Sequence, residues 1–464
     1  MALFTASEAA ALCGGVCFGP DAKISRGWKS DSREVGPGDG FVAIKGAATD
    51  GHLYIDQAIA RGAKLLLLNA EEFRRRSLDR PEFAGVTFIA AEDTQRALAL
   101  IAEEYLRRVA PRVIAVTGSV GKTTVRELTA AALKKKYAVH SAVRSFNTIL
   151  GCSLTVLAMP EAAELLVLEL GTNHFGEIKE MVNHFPPHTA IITEVAPAHL
   201  EGFGSVEGVL RAKMEICGSR ALETVIYNGD NRLLAEAMSY NFDNIKKISV
   251  GKGGGCDVRI MDAAVRFDDA GPITSARLAC GEGELTLSCR LFGVQHAYNM
   301  GYAFAAAKNF GADACETAEA LAVMKPLGGR GLCKRSAANG WVIDEAYNAN
   351  PASMKAALMN TRAAAESMGI KKWAILGGMR ELGESAPEWH RAVIAQLADY
   401  DRALLLGGEW ADCGAEPAPN ISLFGSLEEL ISSIDYSDLD GKLILVKGSN
   451  SYGLKKAVAA LTEC

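Results

Sequence analysis

Short apolar runs alternate with longer segments of helical periodicity along most of the chain. The clearest runs are rich in leucine or β-branched side chains and comprise Arg112–Thr117, Leu165–Leu170, Thr189–Thr193 and Thr224–Tyr227. Runs of this length and composition are typical of strands that are buried on both faces. Because helical segments separate them, we predict a largely parallel sheet with helices on both faces.

The same alternation covers both ends of the chain. Before residue 90, three short strand-like runs and a helical stretch around Tyr54–Arg61 indicate a small α/β domain. Beyond residue 325 it starts again, as in a doubly wound domain. The runs there are Gly340–Asp344, Lys372–Leu376, Arg402–Leu406 and Lys442–Val446. Between these parts, Asp257–Phe292 contains short alternating segments that predict antiparallel strands.

Composition and charge narrow the class of protein. Hydrophobic residues make up 49% of the 464 residues, and the formal net charge is −6 without basic runs, which disfavours nucleic acid and anionic membranes as partners. Apolar runs stay below the roughly 18 residues of a membrane span. The N-terminus lacks the basic segment of a signal peptide, and the 11 cysteines are scattered. We therefore expect reduced thiols and a cytoplasmic location.

A glycine loop joins the run Arg112–Thr117 to a predicted helix, Thr124–Lys136. The loop consists of Gly118, Ser119, Val120, Gly121, Lys122, Thr123 and Thr124. Its backbone N–H groups can surround phosphate oxygens, Lys122 can reach the β- and γ-phosphates, and Thr123 offers a hydroxyl to Mg²⁺. A chance glycine turn is the alternative, but the strand before and the helix after favour a site for ATP with Mg²⁺.

Three further residues are candidates on weaker grounds. Glu169 stands at the end of a predicted parallel strand, where ligands of such sheets bind, and a buried carboxylate there needs a metal ion or hydrogen-bond donors. His199 lies in a loop, and a lone histidine is as often structural as ligating. Lys213 is unremarkable by itself, since a solvated lysine is the common case.

These residues belong to a longer series of motifs that resembles the ATP-dependent Mur ligases, in particular the MurF type. The series comprises Ser30–Arg33, Pro37–Gly46, Asp50–His52, Thr117–Thr124, Phe146–Thr148, Leu168–His174, Ala198–Ser205, Ala212–Lys213, Tyr347–Pro351, Ser353–Met354, Glu381–Gly383 and Lys447–Ser449. The Tyr347–Pro351 block points most specifically to the MurF branch. The resemblance implies a ligase that adds D-alanyl-D-alanine to UDP-N-acetylmuramoyl-tripeptide through an acyl phosphate, in the synthesis of peptidoglycan precursors.

We therefore expect an α/β fold of three domains. Residues 1–90 would form a small α/β domain that binds the UDP-sugar. Residues 91–324 would form a central parallel-sheet domain that carries the phosphate loop and binds ATP. Residues 325–464 would form a Rossmann-like, doubly wound ligase domain. The family's usual habit implies a monomer.

Roles for individual residues follow from the resemblance. Lys122, Glu169, His199 and Lys213 would be catalytic. Thr123 and Glu169 would bind one Mg²⁺, and His199 with an N-carboxylated Lys213 would bind a second. Besides the loop, ATP would be bound by His296, Asn299, Arg330 and Glu345. The substrates would be bound by Ser32, Arg33, Lys45, Asp50, His52, Asn147, Thr148, Tyr347, Asn348 and Asn350.

Four positions depart from the family pattern. Gln295-His296 replaces the usual His-Asn, Glu345 replaces Asp, Gly378 replaces the Asp of Gly-Asp-Met, and Asn450 replaces the Arg of Lys-Gly-Ser-Arg. Two alternatives therefore stay open. One is another acid–amino-acid ligase, of the MurE or folylpolyglutamate synthase type. The other is a catalytically impaired paralogue that binds nucleotide. A P-loop kinase or GTPase would leave His199 and Lys213 without a role.

Overall fold

The computed structural model describes residues 4–24, 27–46, 49–78, 81–142, 144–240, 242–281, 283–326, 328–414 and 418–462. Three sheets of four, nine and six strands lie along this part of the chain, each with helices against it. The predicted α/β class is therefore confirmed. None of the helices in the described ranges is long and apolar enough to cross a membrane.

The first sheet has the strand order β1-β4-β3-β2. Strands β2, β3 and β4 are parallel, and the short edge strand β1 is antiparallel to β4. The elements are α1 (Ala6–Leu12), β1 (Val16–Phe18), β2 (Gly40–Val42), α2 (Ile55–Ala60), β3 (Leu65–Asn69), α3 (Ala70–Arg75) and β4 (Thr87–Ala91), with 3₁₀ helices at Ser32–Glu34, Gly51–Tyr54 and Pro81–Phe83. All four leucines of β3 are buried, as the apolar run predicts.

The central sheet has the order β13-β12-β11-β10-β9-β8-β5-β7-β6. Its first elements are α4 (Thr94–Val109), β5 (Arg112–Thr117), α5 (Lys122–Leu133), β6 (Val139–Ser141), α6 (Ile149–Ala158), β7 (Leu165–Glu169), α7 (Glu177–His184), β8 (Thr189–Ile192), α8 (Leu200–Phe203) and α9 (Val206–Met214). A 3₁₀ helix, Glu215–Gly218, precedes β9 (Thr224–Asn228), α10 (Arg232–Tyr240), β10 (Lys246–Gly251), β11 (Val258–Asp268), β12 (Gly271–Cys280), β13 (Gly283–Cys289), α11 (His296–Asn309) and α12 (Ala314–Ala322).

Pairing in this sheet is parallel from β6 to β11, while β11, β12 and β13 form an antiparallel meander. The prediction of antiparallel strands within Asp257–Phe292 is thus confirmed. The strands β5, β7 and β8 lie side by side, so the loops that leave their carboxyl ends meet at one edge.

Helix α5 begins earlier than predicted. It starts at Lys122, because Gly121 adopts a left-handed conformation (φ 84°) that turns the chain into the helix. It ends at Leu133, before three consecutive lysines. Of these, the Lys136 ammonium donates to the carbonyls of Phe310 and Gly311, which directly follow α11.

The third sheet has the order β14-β15-β19-β16-β17-β18, parallel except for β14. Its elements are β14 (Leu332–Arg335), β15 (Trp341–Glu345), α13 (Pro351–Met368), β16 (Lys372–Gly377), α14 (Ala386–Ala395), β17 (Arg402–Leu406), α15 (Glu409–Asp412), β18 (Ile421–Phe424), α16 (Leu427–Ser432), β19 (Leu443–Lys447) and α17 (Lys455–Thr462), with 3₁₀ helices at Gly383–Ser385, Tyr436–Leu439 and Asn450–Tyr452. The loops after β15, β19 and β16 therefore lie together at the carboxyl edge of the sheet.

Candidate active site

A cleft of about 1120 Å³ lies between the central and third domains. It brings together most of the predicted ATP and substrate residues: Ser119, Val120, Gly121, Lys122, Thr123, Thr124, Asn147, Thr148, Glu169, His199, His296, Asn299, Arg330, Glu345, Tyr347, Asn348 and Asn350 line it. Gly118 and Lys213 lie outside this lining. So do Ser32, Arg33, Lys45, Asp50 and His52, which belong to the N-terminal region.

The phosphate loop has the backbone conformation that its glycines permit. Gly118 has a φ of 143°, and a Cβ there would collide with Thr193 Oγ1 and lie 2.9 Å from the backbone N of Glu194. The ammonium of Lys122 donates to the carbonyl of Gly118 at 2.7 Å, so it lies across the loop. Burial lowers the pKa of Lys122, while the charge of Glu169 opposes that effect. The lysine is thus held where phosphate oxygens would replace the carbonyl.

The Glu169 carboxylate is buried at the end of β7 and is held by three side chains. Thr123 Oγ1 donates to its Oε2 at 2.7 Å, and Asn147 Nδ2 donates to its Oε1 at 3.0 Å. Arg126 Nη1 lies 3.7 Å from Oε2, and neither side chain of this ion pair is exposed by more than 1%. The carboxylate is therefore compensated by both hydrogen bonds and a cation.

Oxygen atoms at this point fit a magnesium ion. Thr123 Oγ1 and Glu169 Oε2 are 2.7 Å apart, close to the roughly 2.9 Å between neighbouring ligands of an octahedral ion with bonds of about 2.0–2.1 Å. Within the described residues, no three His, Cys, Asp or Glu side chains form a metal-binding group. An ion here would need phosphate and water oxygens as well, which is how Mg²⁺ usually binds beside a triphosphate.

Ser145 and Arg330 connect the phosphate loop to the third domain. Ser145 Oγ lies 3.4 Å from Thr123 Oγ1 and accepts a hydrogen bond of 3.0 Å from Arg330 Nη2. The Arg330 guanidinium also lies 3.9 Å from the centre of the Tyr347 ring. The arginine is therefore held by an aromatic face and a hydroxyl while it lines the cleft.

His199 lies on the central side of the seam with the third domain. Its Nδ1 pairs with a carboxylate oxygen of Glu381, and the Leu200 N–H donates to the Glu381 carbonyl at 3.0 Å. Burial lowers the pKa of His199, and the Glu381 carboxylate works against that shift. Because Nδ1 is engaged, Nε2 is the ring nitrogen left to bind a ligand.

Lys213 is buried on α9, with its Nζ 6.0 Å from the centre of the Phe203 ring. Burial, and then the charge of Lys122, hold the pKa of Lys213 well below its usual range. Glu177 and Glu215 oppose this effect. A lowered pKa increases the fraction of neutral amine, which is the form of a lysine that reacts with carbon dioxide to give a carbamate.

The start of α11 forms a polar network with α13. Gln295 Oε1 accepts from Asn360 Nδ2 at 2.6 Å, and Asn360 Oδ1 accepts from the Val294 N–H at 3.1 Å. His296 Nδ1 accepts from Asn299 Nδ2 at 3.0 Å, which requires an unprotonated nitrogen. Burial lowers the pKa of His296 to about 4, so the ring is neutral at pH 7. The Gln295-His296 departure thus contributes to contacts across the two domains.

In the third domain, the buried Lys447 on β19 forms an ion pair of 2.8 Å with the partly buried Glu345 on β15. Lys447 Nζ also donates to the Asn348 carbonyl at 3.0 Å, which fixes the loop after β15. At the end of β16, a Cβ on Gly378 would lie 2.7 Å from the Tyr452 hydroxyl and 3.0 Å from Glu409 Oε2. The aspartate of the family pattern would therefore require these two side chains to move.

The predicted residues of the N-terminal region are engaged within it. Ser32 Oγ donates to Gln57 Oε1 at 2.6 Å. His52 is buried, with Nδ1 2.6 Å from Asp50 Oδ1 and Nε2 accepting from the Asn69 N–H at 3.0 Å. Both ring nitrogens of His52 are used by the fold, so its contribution to a binding site would be to hold the loop that carries Lys45 and Asp50.

Comparison with known proteins gives the family. Family models match in order along the chain: Mur ligase family, catalytic domain, at residues 26–106; Mur ligase middle domain at 116–307; and Mur ligase, glutamate ligase domain, at 329–450. The UDP-N-acetylmuramoyl-tripeptide–D-alanyl-D-alanine ligase of Bacillus subtilis (strain 168) is 32% identical over 448 residues, which cover 95% of this chain and 94% of that relative. The chain belongs to the Mur ligase family.

Two solved structures are similar to this Mur ligase over nearly its whole length. MurF from Acinetobacter baumannii has a TM-score of 0.83 at 26% identity and covers 99% of both chains. MurF ligase from Thermotoga maritima, solved in complex with ADP, has a TM-score of 0.77 at 25% identity, covering 94% of this chain and 97% of that one. The predictions of an ATP-dependent ligase and of a three-domain Mur ligase fold are thereby confirmed.

Several side chains of this site stand at positions that no sequence motif marks as functional. Arg126 and Ser145 were not singled out, although Arg126 lies one helical turn after Lys122 and Ser145 precedes the Phe146–Thr148 motif. Glu381 was noted only as part of a motif. A further group of lining residues also has no motif to mark it, because its members lie at or after the carboxyl ends of three separate strands, β8, β9 and β10: Glu194, Asn228, Asp230, Asn231 and Lys252.

The buried ion pair between Arg126 and Glu169 predicts a large loss of stability when Arg126 is replaced by an uncharged residue. Arg126→Met leaves the buried Glu169 carboxylate without its ion-pair partner. We expect the free energy of unfolding of the central domain to fall by about 3–5 kcal/mol, measured by urea denaturation. Arg232→Ala, which removes an exposed partner of Glu236, should cost less than about 1 kcal/mol. A similar small loss in both variants would contradict the role given to Arg126.

His296 predicts a pH dependence of stability. Its pKa is about 4 in the folded protein and about 6.5 in an unfolded chain, so the unfolded state binds the extra proton first. Stability should fall by up to about 3 kcal/mol as the pH drops from 6.5 to 4. Chemical denaturation at several pH values gives the free energy of unfolding as a function of pH, and this free energy should change less steeply with pH in His296→Gln than in the parent. His174 is exposed, so His174→Gln should keep the pH dependence of the parent. The same pH dependence in His296→Gln as in the parent would refute the lowered pKa given to His296.

Proposed function

We propose that this Mur ligase adds D-alanyl-D-alanine to UDP-N-acetylmuramoyl-tripeptide, with cleavage of ATP to ADP, in the synthesis of peptidoglycan precursors. The observation that carries the proposal is a single cleft in which the phosphate loop and Glu169 face the Tyr347–Asn350 loop of the third domain. The relative from Bacillus subtilis bears this activity in its name and matches along almost the entire chain, which supports the same substrates here.

The first step would activate the tripeptide's terminal carboxylate. That carboxylate attacks the γ-phosphorus of ATP, the bond to the β-phosphate oxygen breaks, and an acyl phosphate and ADP result. Lys122, Arg330 and the loop N–H groups would neutralise the charge that develops on the phosphoryl oxygens. Magnesium, when bound, supplies further positive charge and orients the phosphates. We propose Thr123 and Glu169 as the ligands of one ion.

The second step would form the amide bond. The amine of the dipeptide attacks the acyl carbonyl, phosphate leaves with the electrons of the broken C–O bond, and a proton passes to solvent. Water must be kept out meanwhile, since it would hydrolyse the acyl phosphate. The contacts of Arg330 with Ser145 and of Glu381 with His199 join the two sides of the cleft and support this closure.

Further roles belong to the same proposal. His199 and a carbamate on Lys213 would hold a second magnesium ion, and His296, Asn299 and Glu345 would help to bind ATP. Residues 1–90 would bind the nucleotide sugar through Ser32, Arg33, Lys45, Asp50 and His52, residues 91–324 would bind ATP, and residues 325–464 would receive the amine. Asn147, Thr148, Tyr347, Asn348 and Asn350 would face the substrates. The enzyme would act as a cytoplasmic monomer.

A direct assay tests the substrates. The purified protein is incubated with ATP, Mg²⁺ and UDP-N-acetylmuramoyl-tripeptide, and either D-alanyl-D-alanine or a single amino acid is added. We expect ADP release and a product of the corresponding mass with the dipeptide alone. Turnover confined to a single amino acid would identify a MurE-like ligase instead. The absence of turnover with any acceptor would favour the impaired paralogue, which the departures at Gly378 and Asn450 keep as the second candidate.

The carbamate on Lys213 has its own test. Lys213→Ala should lower kcat by about a hundredfold, because a loss of some 3 kcal/mol of charge stabilisation corresponds to that factor. Depletion of carbon dioxide should slow the parent enzyme and bicarbonate should restore it, while the variant should respond to neither. Lys179→Ala, at an exposed position on α7, is the matched control and should behave like the parent. Full activity of Lys213→Ala would remove the carbamate from the mechanism.

A further inference from the structure

Two residues with unusual backbone conformations meet at the seam between the central and third domains. His199 has a φ of 51° and Glu381 a φ of 61°, both in the left-handed region that non-glycine residues seldom occupy. Such conformations persist where the surrounding structure holds them, and they concentrate at functional sites. These two residues are 182 positions apart in the sequence.

Two hydrogen bonds join Glu381 to His199 and Leu200, and we call this pair of bonds the seam contact. The Glu381 carboxylate pairs with His199 Nδ1, and the Glu381 carbonyl accepts from the Leu200 N–H at 3.0 Å. Beside it, a Cβ on Gly383 would lie 3.7 Å from Glu201 Cγ, so the two loops pack closely. A side-chain and a backbone hydrogen bond to consecutive residues fix both the position and the rotation of the loop.

The histidine ring is fixed by its other neighbours as well. The Phe203 ring packs against it edge to face, with ring centres 6.5 Å apart and an angle of 84° between the planes. With Nδ1 turned to Glu381, Nε2 is directed away from that carboxylate, and His199 lines the cleft. Histidines that bind metal ions almost always donate their second N–H to a carboxylate or carbonyl, which sets the tautomer and orients the ring.

We propose that Glu381 is a positioning residue that completes a divalent-cation site on the other domain. Closure of the third domain brings the Glu381 carboxylate to His199 Nδ1 and holds Nε2 as a ligand for the second ion. The inference rests on the proposed function, because it takes His199 as a cation ligand. By linkage, binding of that ion and closure of the third domain stabilise each other.

Manganese binding tests the proposal without relying on turnover. The parent, Glu381→Gln and the matched control Glu384→Gln, at an exposed position three residues away, are titrated with Mn²⁺ in saturating ADP. Free Mn²⁺ is measured by electron paramagnetic resonance. We expect the parent to bind two Mn²⁺ ions. In Glu381→Gln, the Kd of one of these ions should be about 10- to 100-fold higher. The other ion, which we assign to Thr123 and Glu169, should keep its affinity and serves as an internal reference.

Domain closure and pairwise coupling complete the test. Small-angle scattering with ADP and Mn²⁺ should show a larger radius of gyration for Glu381→Gln than for the parent. In a His199→Ala background, Glu381→Gln should have no further effect on Mn²⁺ affinity, because the group it positions is gone. Glu381→Gly should show the same loss of Mn²⁺ affinity. Because glycine readily adopts the left-handed conformation, this variant tests whether backbone strain or misfolding causes the loss.

Three results would overturn the proposal. They are one Mn²⁺ per parent chain, unchanged affinities in Glu381→Gln, or an effect of Glu381→Gln that persists in His199→Ala. If Glu381→Gln changed the radius of gyration and left both affinities intact, the seam contact would hold the domains together without shaping the ion site. Failure to ligate D-alanyl-D-alanine would refute the proposed substrates and leave these binding measurements valid.

Discussion

The cost of burying the Glu169 carboxylate governs the arrangement of the central site. A charge at the end of β7, almost fully removed from solvent, must be matched by donors and by positive charge. The donors come from Thr123 and Asn147, and the charge comes from Arg126. These three residues belong to two separate segments, α5 and the loop before α6, so β7, α5 and that loop must be aligned for Glu169 to be tolerated.

Arg126 extends this constraint beyond the carboxylate. Its Nη1 also donates to the Arg144 carbonyl at 2.5 Å, at the start of the segment that carries Ser145 and Asn147. Ser145 in turn accepts from Arg330 of the third domain. A chain of direct contacts therefore runs from the buried carboxylate to the residue that would bind ATP from across the cleft. The same arginine that compensates Glu169 therefore also positions the loop of residues 144–147, which contacts the third domain through Ser145.

Local pattern predicts those parts of the fold in which burial fixes the composition. Arg112–Thr117 and Arg402–Leu406 agree with β5 and β17 residue for residue, because strands covered on both faces require unbroken apolar side chains. The phosphate loop is equally local, since its glycines and its lysine act within one turn of chain. The edge strands β1 and β6 were not predicted. With three residues each and partial exposure, they leave no periodic signal.

Contacts between distant segments could not be predicted in the same way. Nothing in the Ala198–Ser205 motif indicates that His199 meets Glu381, because the contact depends on how two separately folded domains lie against each other. His52 shows that a motif residue can also have a structural role in place of a binding role. Its motif suggests a binding role, but both of its ring nitrogens are already used by Asp50 and Asn69. A motif therefore identifies which residues matter, while the structure decides whether they touch a ligand or hold the residues that do.

The departures from the family pattern can be weighed by the same reasoning. A lost site would leave cavities or buried polar groups without partners, which cost free energy. Glu345 instead forms a partly buried ion pair with Lys447, and Gln295 accepts a hydrogen bond from Asn360. At Gly378, the missing side chain is replaced by the Tyr452 hydroxyl, which donates to Glu409. Glu345 and Gln295 therefore have matched partners and the space beside Gly378 is filled, so these three departures are better explained by rebuilt contacts of the third domain than by decay of the cleft.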